Sequence, residues 1–204
     1  MLEKVQIEAK SKEEALEKAL EQLNVRKDET FYYFGETEGG LFKGKKYVVT
    51  VTTKYAIKEY IKEFLRELAS KMNTKFSIEV KETEVGFNVL IIADDNATLI
   101  GKDGNTLNSI QTVLRQAIRK EGNFDLKINL DISDYKARKE SRIEREAKRL
   151  CREVKKTKME VKLDPMNSYE RRLVHNVVSK FDCLETHSEG EGKERHVIIS
   201  YKEE

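Results

Sequence analysis

An α+β fold in three small parts is what this sequence predicts, and three observations predict it. Apolar residues switch between alternate spacing and three-to-four spacing, the switch recurs in three successive blocks, and no block holds enough apolar residues for one large core. The chain has 204 residues, 38% hydrophobic and 37% charged, which suits two or three modules with modest cores. Its formal net charge is only +2, so affinity for a polyanion has to come from local clustering of charge. Cys151 and Cys183 lie far apart, lack a C-x-x-C partner and sit in apolar-periodic stretches; they read as reduced thiols with no metal site. The N-terminus has no apolar signal segment, and no stretch approaches about 18 apolar residues. The expected location is the cytoplasm.

The first block spans residues 1–53. Leu2 to Glu8 predict a strand, and Ser11 followed by Glu14 has the spacing of a capping box opening a helix. Ala15, Leu16, Ala19, Leu20 and Leu23 give that helix one apolar face, and Phe31–Phe34 and Tyr47–Val51 predict two further strands. Between them lies a glycine-rich stretch in which Leu41 and Phe42 are rimmed by Lys43, Lys45 and Lys46. Two readings are open for it: a hairpin loop with a basic tip, or a contact surface for a partner protein, lipid headgroups or RNA.

The second block spans residues 54–132. Ile57, Ile61, Phe64 or Leu65, Leu68 and Met72 mark an amphipathic helix; Phe76, Ile78 and Val80, then Val85, Phe87, Val89 and Ile91, alternate as two paired strands. A short helix leads into Gly101-Lys102-Asp103-Gly104. Leu107, Ile110, Leu114, Ala117 and Ile118 then lie on one helical face, with Gly122 a C-cap candidate just past the end. Phe124, Leu126, Ile128, Leu130 and Ile132 predict a strand buried on one side. Glycines at 101 and 104 admit positive φ and close approach of another backbone, and Gly104 opens a helix whose free N–H groups and dipole suit a phosphate. Lys102 adds a cation beside them.

The third block spans residues 133–204. Ser133 or Asp134 is placed to cap a long helix to about Lys158, with Ile143, Ala147, Leu150 and Val154 as its apolar stripe. Its other face is basic, from Lys136 and Arg138 to Lys156 and Lys158, which reads either as a phosphate-facing surface or as a solvated face with Glu–Lys pairs such as Glu144–Lys148. Asp164-Pro165 predicts the start of a second helix reaching about Phe181, with Arg171 and His175 one turn apart on its polar side. Cys183–Thr186 and Arg195–Tyr201 predict a closing hairpin. No nucleophile elbow, zinc-helix motif, Walker loop or dinucleotide fingerprint is found. His187 and His196 face each other at most across that hairpin, and read as structural or solvated, so no catalysis, cofactor, metal or small-molecule substrate is expected.

The order helix, strand, strand, short helix, G-x-x-G, helix, strand resembles the type II KH domain, in which that loop grips the backbone of about four nucleotides. The resemblance implies this role for Gly101, Lys102, Asp103 and Gly104; Asp103 departs from it, since family loops more often carry a basic or neutral residue there. The first block is similar to the N-terminal domain of the bacterial Jag, or SpoIIIJ-associated, family. Residues Pro165 to His175, with Thr186 to Glu191 and Arg195, resemble the single-stranded nucleic-acid-binding domain named for Arg-x-x-x-His, which implies contacts from Arg171, His175 and Arg195. In that order the three resemblances identify the chain as a member of the Jag family. Membership implies a cytoplasmic bacterial protein that binds single-stranded RNA, with acceptance of DNA left open, linked with cell elongation, division or sporulation. It also implies a homodimer or a pairing with a second small KH protein, and a peripheral link to the membrane-protein insertase. The competing expectation is a scaffold that works mainly through protein–protein contact, with nucleic-acid binding secondary.

Overall fold

The computed structural model describes residues 1–37 and 46–202; the loop residues Leu41, Phe42, Lys43 and Lys45 fall outside them. The fold is α+β, and the chain divides into two compact units, Met1–Ser133 and Asp134–Glu204.

The first unit begins with β1 (Val5–Ala9), α1 (Lys12–Leu23), β2 (Thr30–Thr37) and β3 (Lys46–Thr53). The strands form an antiparallel sheet in the order β1-β3-β2. Ala15, Leu16 and Ala19 of α1 pack with Ala9, Val49 and Val51 into its core. Half of the expected capping box forms as expected: Ser11 Oγ accepts the Glu14 N–H at 3.1 Å. The Glu14 carboxylate accepts from Lys10 N–H and not from Ser11.

Thr53 is both the last residue of β3 and the N-cap of α2 (Lys54–Lys71), its hydroxyl accepting the Ala56 N–H at 3.0 Å. The chain therefore passes from the first sheet into the second layer with no linker. β4 (Phe76–Thr83) and β5 (Gly86–Ala93) pair antiparallel; after α3 (Asn96–Ile100) and α4 (Asn105–Gly122), β6 (Lys127–Ile132) adds to β5 in parallel, Gly86 opposite Lys127. Ile57, Ile61 and Leu65 of α2 and Leu107, Ile110, Leu114 and Ile118 of α4 are buried, as are Phe87, Val89, Ile91, Ile128, Leu130 and Ile132 on the alternate positions of the strands. Phe124 and Leu126 are buried as well, but they precede the strand, because the ladder starts where Gly86 begins β5. The C-cap of α4 is Asn123, left-handed at φ 56°, and Gly122 is the last helical residue. Phe31 of β2 meets Phe87 of β5 edge-on, ring centroids 5.9 Å apart.

The second unit opens with α5 (Tyr135–Thr157), which buries Ala147, Leu150, Cys151 and Val154. β7 (Val161–Lys162), α6 (Ser168–Val178), β8 (Leu184–Glu189) and β9 (His196–Tyr201) follow, with strand order β7-β9-β8 and antiparallel pairing throughout. Asp134 stands at the N-cap of α5, at φ 58° and with no side-chain bond to the helix.

The start of α6 differs from the Asp164-Pro165 expectation. Leu163 N–H donates to the Val197 carbonyl and Met166 N–H to that of Arg195, so residues 163–166 run alongside β9. The cap is Asn167. Its side chain accepts the Tyr169 and Glu170 N–H groups at 3.0 Å each, and the Glu170 carboxylate accepts the Asn167 N–H at 3.1 Å, which completes a capping box. Glu170 is buried and also holds Lys139 of α5 at 2.5 Å, so the charge it takes into the interior is paired. Asn167→Ala is expected to lower the unfolding free energy by about 1 kcal/mol, and Asp164→Ala to change it by less than about 0.5 kcal/mol; urea denaturation of the two variants reads the difference.

Candidate nucleic-acid interface

The expected G-x-x-G residues form the connection between α3 and α4. α3 ends when the Gly101 N–H donates to the Ala97 carbonyl at 2.8 Å, and Gly101 turns the chain at φ 71°. A side chain cannot be added there: a Cβ at Gly101 would lie 2.1 Å from the Thr106 hydroxyl oxygen. Asp103 (φ 54°) and Gly104 (φ 84°) are both left-handed, so three of the four loop residues have positive φ. For a residue with a Cβ this region is costly, and Asp is among the few side chains that occupy it readily. This gives a local reason for an acid at 103 in spite of its charge.

Gly104 is buried and is the N-cap of α4; having no side chain, it leaves the first N–H groups of that helix without a side-chain cap. Lys102 and Asp103 are exposed. The loop thus presents a cation and a helix N-terminus at one place, held from behind by Thr106. Two supporting residues carry no local signal in the sequence. Thr106 is one; the other is Gln111, whose side-chain carbonyl accepts the Leu130 N–H at 2.9 Å and so ties α4 to the outer edge of β6.

In the second unit, α6 and β8 bring Arg171 and His175 onto one acceptor. Arg171 Nη1 donates to Ser188 Oγ at 3.1 Å, and His175 Nε2 lies 3.1 Å from the same oxygen. Ser188 lies in the Thr186 to Glu191 run that carries the resemblance, but the sequence gives it no role of its own, because that role depends on β8 packing against α6. Burial pushes the His175 pKa below the ordinary histidine value, and the neighbouring Arg171 charge and then His187 push in the same direction. The neutral ring can accept the Ser188 hydroxyl proton at Nε2, while Ser188 accepts from Arg171. Arg171 Nε is buried without a hydrogen-bond partner among the described residues, leaving part of the guanidinium fork unused. Arg195 is held by its backbone, where its carbonyl accepts from Met166; its side chain is exposed and makes no bond to Arg171, His175 or Ser188 among the described residues. His187 pairs with Ile198 and His196 with Glu189 across the hairpin. Lys46, the one described member of the expected partner loop, opens β3 and meets Glu8 at 2.7 Å.

A sheet with one parallel pair, joined through two helices that turn on G-x-x-G, and a second unit carrying Arg-x-x-x-His on a helix against a hairpin define a protein with a KH domain and an Arg-x-x-x-His domain. Comparison with known proteins agrees: residues 58–132 match the KH domain of KhpA and KhpB, and residues 141–201 match the domain named for Arg-x-x-x-His. The chain is similar to the RNA-binding protein KhpB of Clostridium symbiosum, 36% identical over 208 residues that take in all of this chain and 94% of that protein. It is 28% identical to the RNA-binding protein KhpB of Bacillus subtilis (strain 168), over 93% of this chain and 94% of that one. The chain belongs to the KhpB family, which is the Jag family.

With its folded pKa lowered, His175 favours the fold in its neutral form. That contribution is whole above the ordinary histidine pKa and is lost as the pH falls through the lowered value. A proton NMR titration of the His175 ring is expected to give a midpoint below that of free histidine, and Ser188→Ala is expected to move the midpoint.

Proposed function

We propose that this chain binds single-stranded RNA and does so without catalysis, with Gly101 to Gly104 holding the strand's backbone and Arg171, His175 and Arg195 adding contacts from the second unit. The observation that carries the reading is the loop itself. Three of its four residues have positive φ, its first glycine is packed against Thr106, and Lys102 stands exposed beside the N-terminus of α4, where the N-cap Gly104 supplies no side-chain bond. Such a terminus offers N–H donors and the positive end of the helix dipole to a phosphate oxygen. The names of the two relatives, both called RNA-binding, support the choice of ligand.

The same reading treats residues 1–53, 54–132 and 133–204 as three modules, of which the second and third bind. Two modules on one chain raise affinity through effective concentration without new contacts. Family membership further supports a regulator of cell elongation, division or sporulation, with a copy of itself or a small KH protein as partner. No described helix is long and apolar enough to cross a membrane, and a link to the insertase would then be peripheral.

The test is fluorescence anisotropy of a labelled mixed-sequence RNA strand with wild type and Lys102→Asp at several salt concentrations, with DNA of the same sequence as competitor. Lys102→Asp is expected to weaken binding roughly tenfold and to make the dependence of log affinity on log salt shallower by about 1. An unchanged affinity would remove the loop from the site, and an absence of binding by wild type would overturn the RNA reading as a whole.

A further inference from the structure

Neither the KH loop nor the Arg171–His175 pair makes use of the outer face of α5. Arg138, Arg142, Arg145, Arg149, Arg152 and Lys156 follow one another at alternating steps of four and three residues. Positions so spaced stack along one side of a helix. All six are exposed, on the side away from the buried Ala147, Leu150, Cys151 and Val154. At 1.5 Å per residue the stripe runs for about 27 Å, with a cation roughly every 5 Å. The helix holds ten basic and four acidic residues, against a net charge of only +2 for the chain.

The acids of α5 leave Arg142, Arg145, Arg152 and Lys156 of the stripe open. A solvated helix with paired charges would set a carboxylate beside each cation. Here Glu146 and Glu153 both serve Arg149, at 2.7 and 3.2 Å, and Glu144 serves Lys148 on the flank at 3.9 Å. Glu140 accepts the hydroxyl of Tyr169. Arg142, Arg152 and Lys156 reach no carboxylate among the described residues, and Arg145 donates only to the Ser141 carbonyl.

We propose that this stripe is a further nucleic-acid contact that takes the phosphate backbone of a single strand along the length of α5; the choice of RNA as ligand rests on the function proposed above. A single file of cations matches a linear polyanion. Five of the six are arginines, whose planar fork fits phosphate oxygens in pairs. No large apolar side chain of α5 is exposed, so the helix lacks the apolar face with which an interfacial helix enters a membrane.

The experiment uses the full chain and a labelled oligouridylate, with wild type, the triple variant Arg142→Gln/Arg145→Gln/Arg152→Gln, the matching Arg→Lys triple and Lys102→Asp. The Gln triple is expected to bind roughly tenfold or more weakly, with a salt slope shallower by about 2, since each phosphate contact with a single strand contributes about 0.7. The Lys triple is expected to keep the slope. Both should melt with wild type, because the replaced residues are exposed and glutamine and lysine are good helix formers. Unchanged affinity of the Gln triple beside a weakened Lys102→Asp overturns the stripe and leaves the KH loop standing. A weakened Gln triple beside an unchanged Lys102→Asp upholds the stripe and removes the loop. Equal loss in the Gln and Lys triples, or loss of binding to phosphatidylglycerol vesicles with RNA affinity intact, also overturns the proposal.

Discussion

Parallel pairing of β5 with β6 is the constraint from which the arrangement of α3, the G-x-x-G loop and α4 follows. Two parallel neighbours cannot be joined by a tight turn, so the chain must leave the end of β5 and travel back before β6 can begin. Here the return is made by α3 and α4, and the chain kinks between them within four residues. Positive φ at Gly101, Asp103 and Gly104 makes the kink. The position of α4 is in turn fixed by Leu107, Ile110, Leu114 and Ile118 in the core and by Gln111 on the β6 edge. The loop is thus set by a framework behind it, which is how a short segment can hold a fixed shape at a surface.

The second unit reaches its arrangement by another route. Its helices are held together by apolar packing, by the Tyr169 hydroxyl on Glu140 and by an ion pair at the buried Glu170, with Lys139. Glu170 also completes the cap of α6. Removing one partner of such a pair leaves an uncompensated charge behind. One carboxylate therefore fixes where α6 starts and where α5 lies against it, and with them the position of Arg171 and His175 relative to Ser188.

Much of this was legible from residue spacing. The alternation from Phe76 to Ile91 and the helical spacing from Leu107 to Ile118 correspond to β4, β5 and α4 because each buries one face, and a buried face leaves a periodic trace. The G-x-x-G loop was legible because backbone of positive φ demands particular residues. What escaped was nonlocal. Asp164-Pro165 has the local form of a helix start, but Met166 N–H is claimed by the Arg195 carbonyl of a distant segment, and the start moves to Asn167. Ser188 and Thr106 gain their roles only from what the fold brings beside them. The alternation from Phe124 to Ile132 marks burial throughout, but the strand is shorter than the alternation, since a ladder needs a partner and β5 begins at Gly86.

Thr53 ends one sheet and caps the next helix. In mechanical terms the chain has no slack at that point: a flexible tether between parts extends before it transmits load, and none is present here. A pull or twist on the N-terminal sheet passes directly into the first turn of α2, where Thr53 holds the Ala56 amide. Whatever docks on that sheet is thereby geared to the KH domain, through Thr53 in the chain and through the Phe31–Phe87 contact beside it.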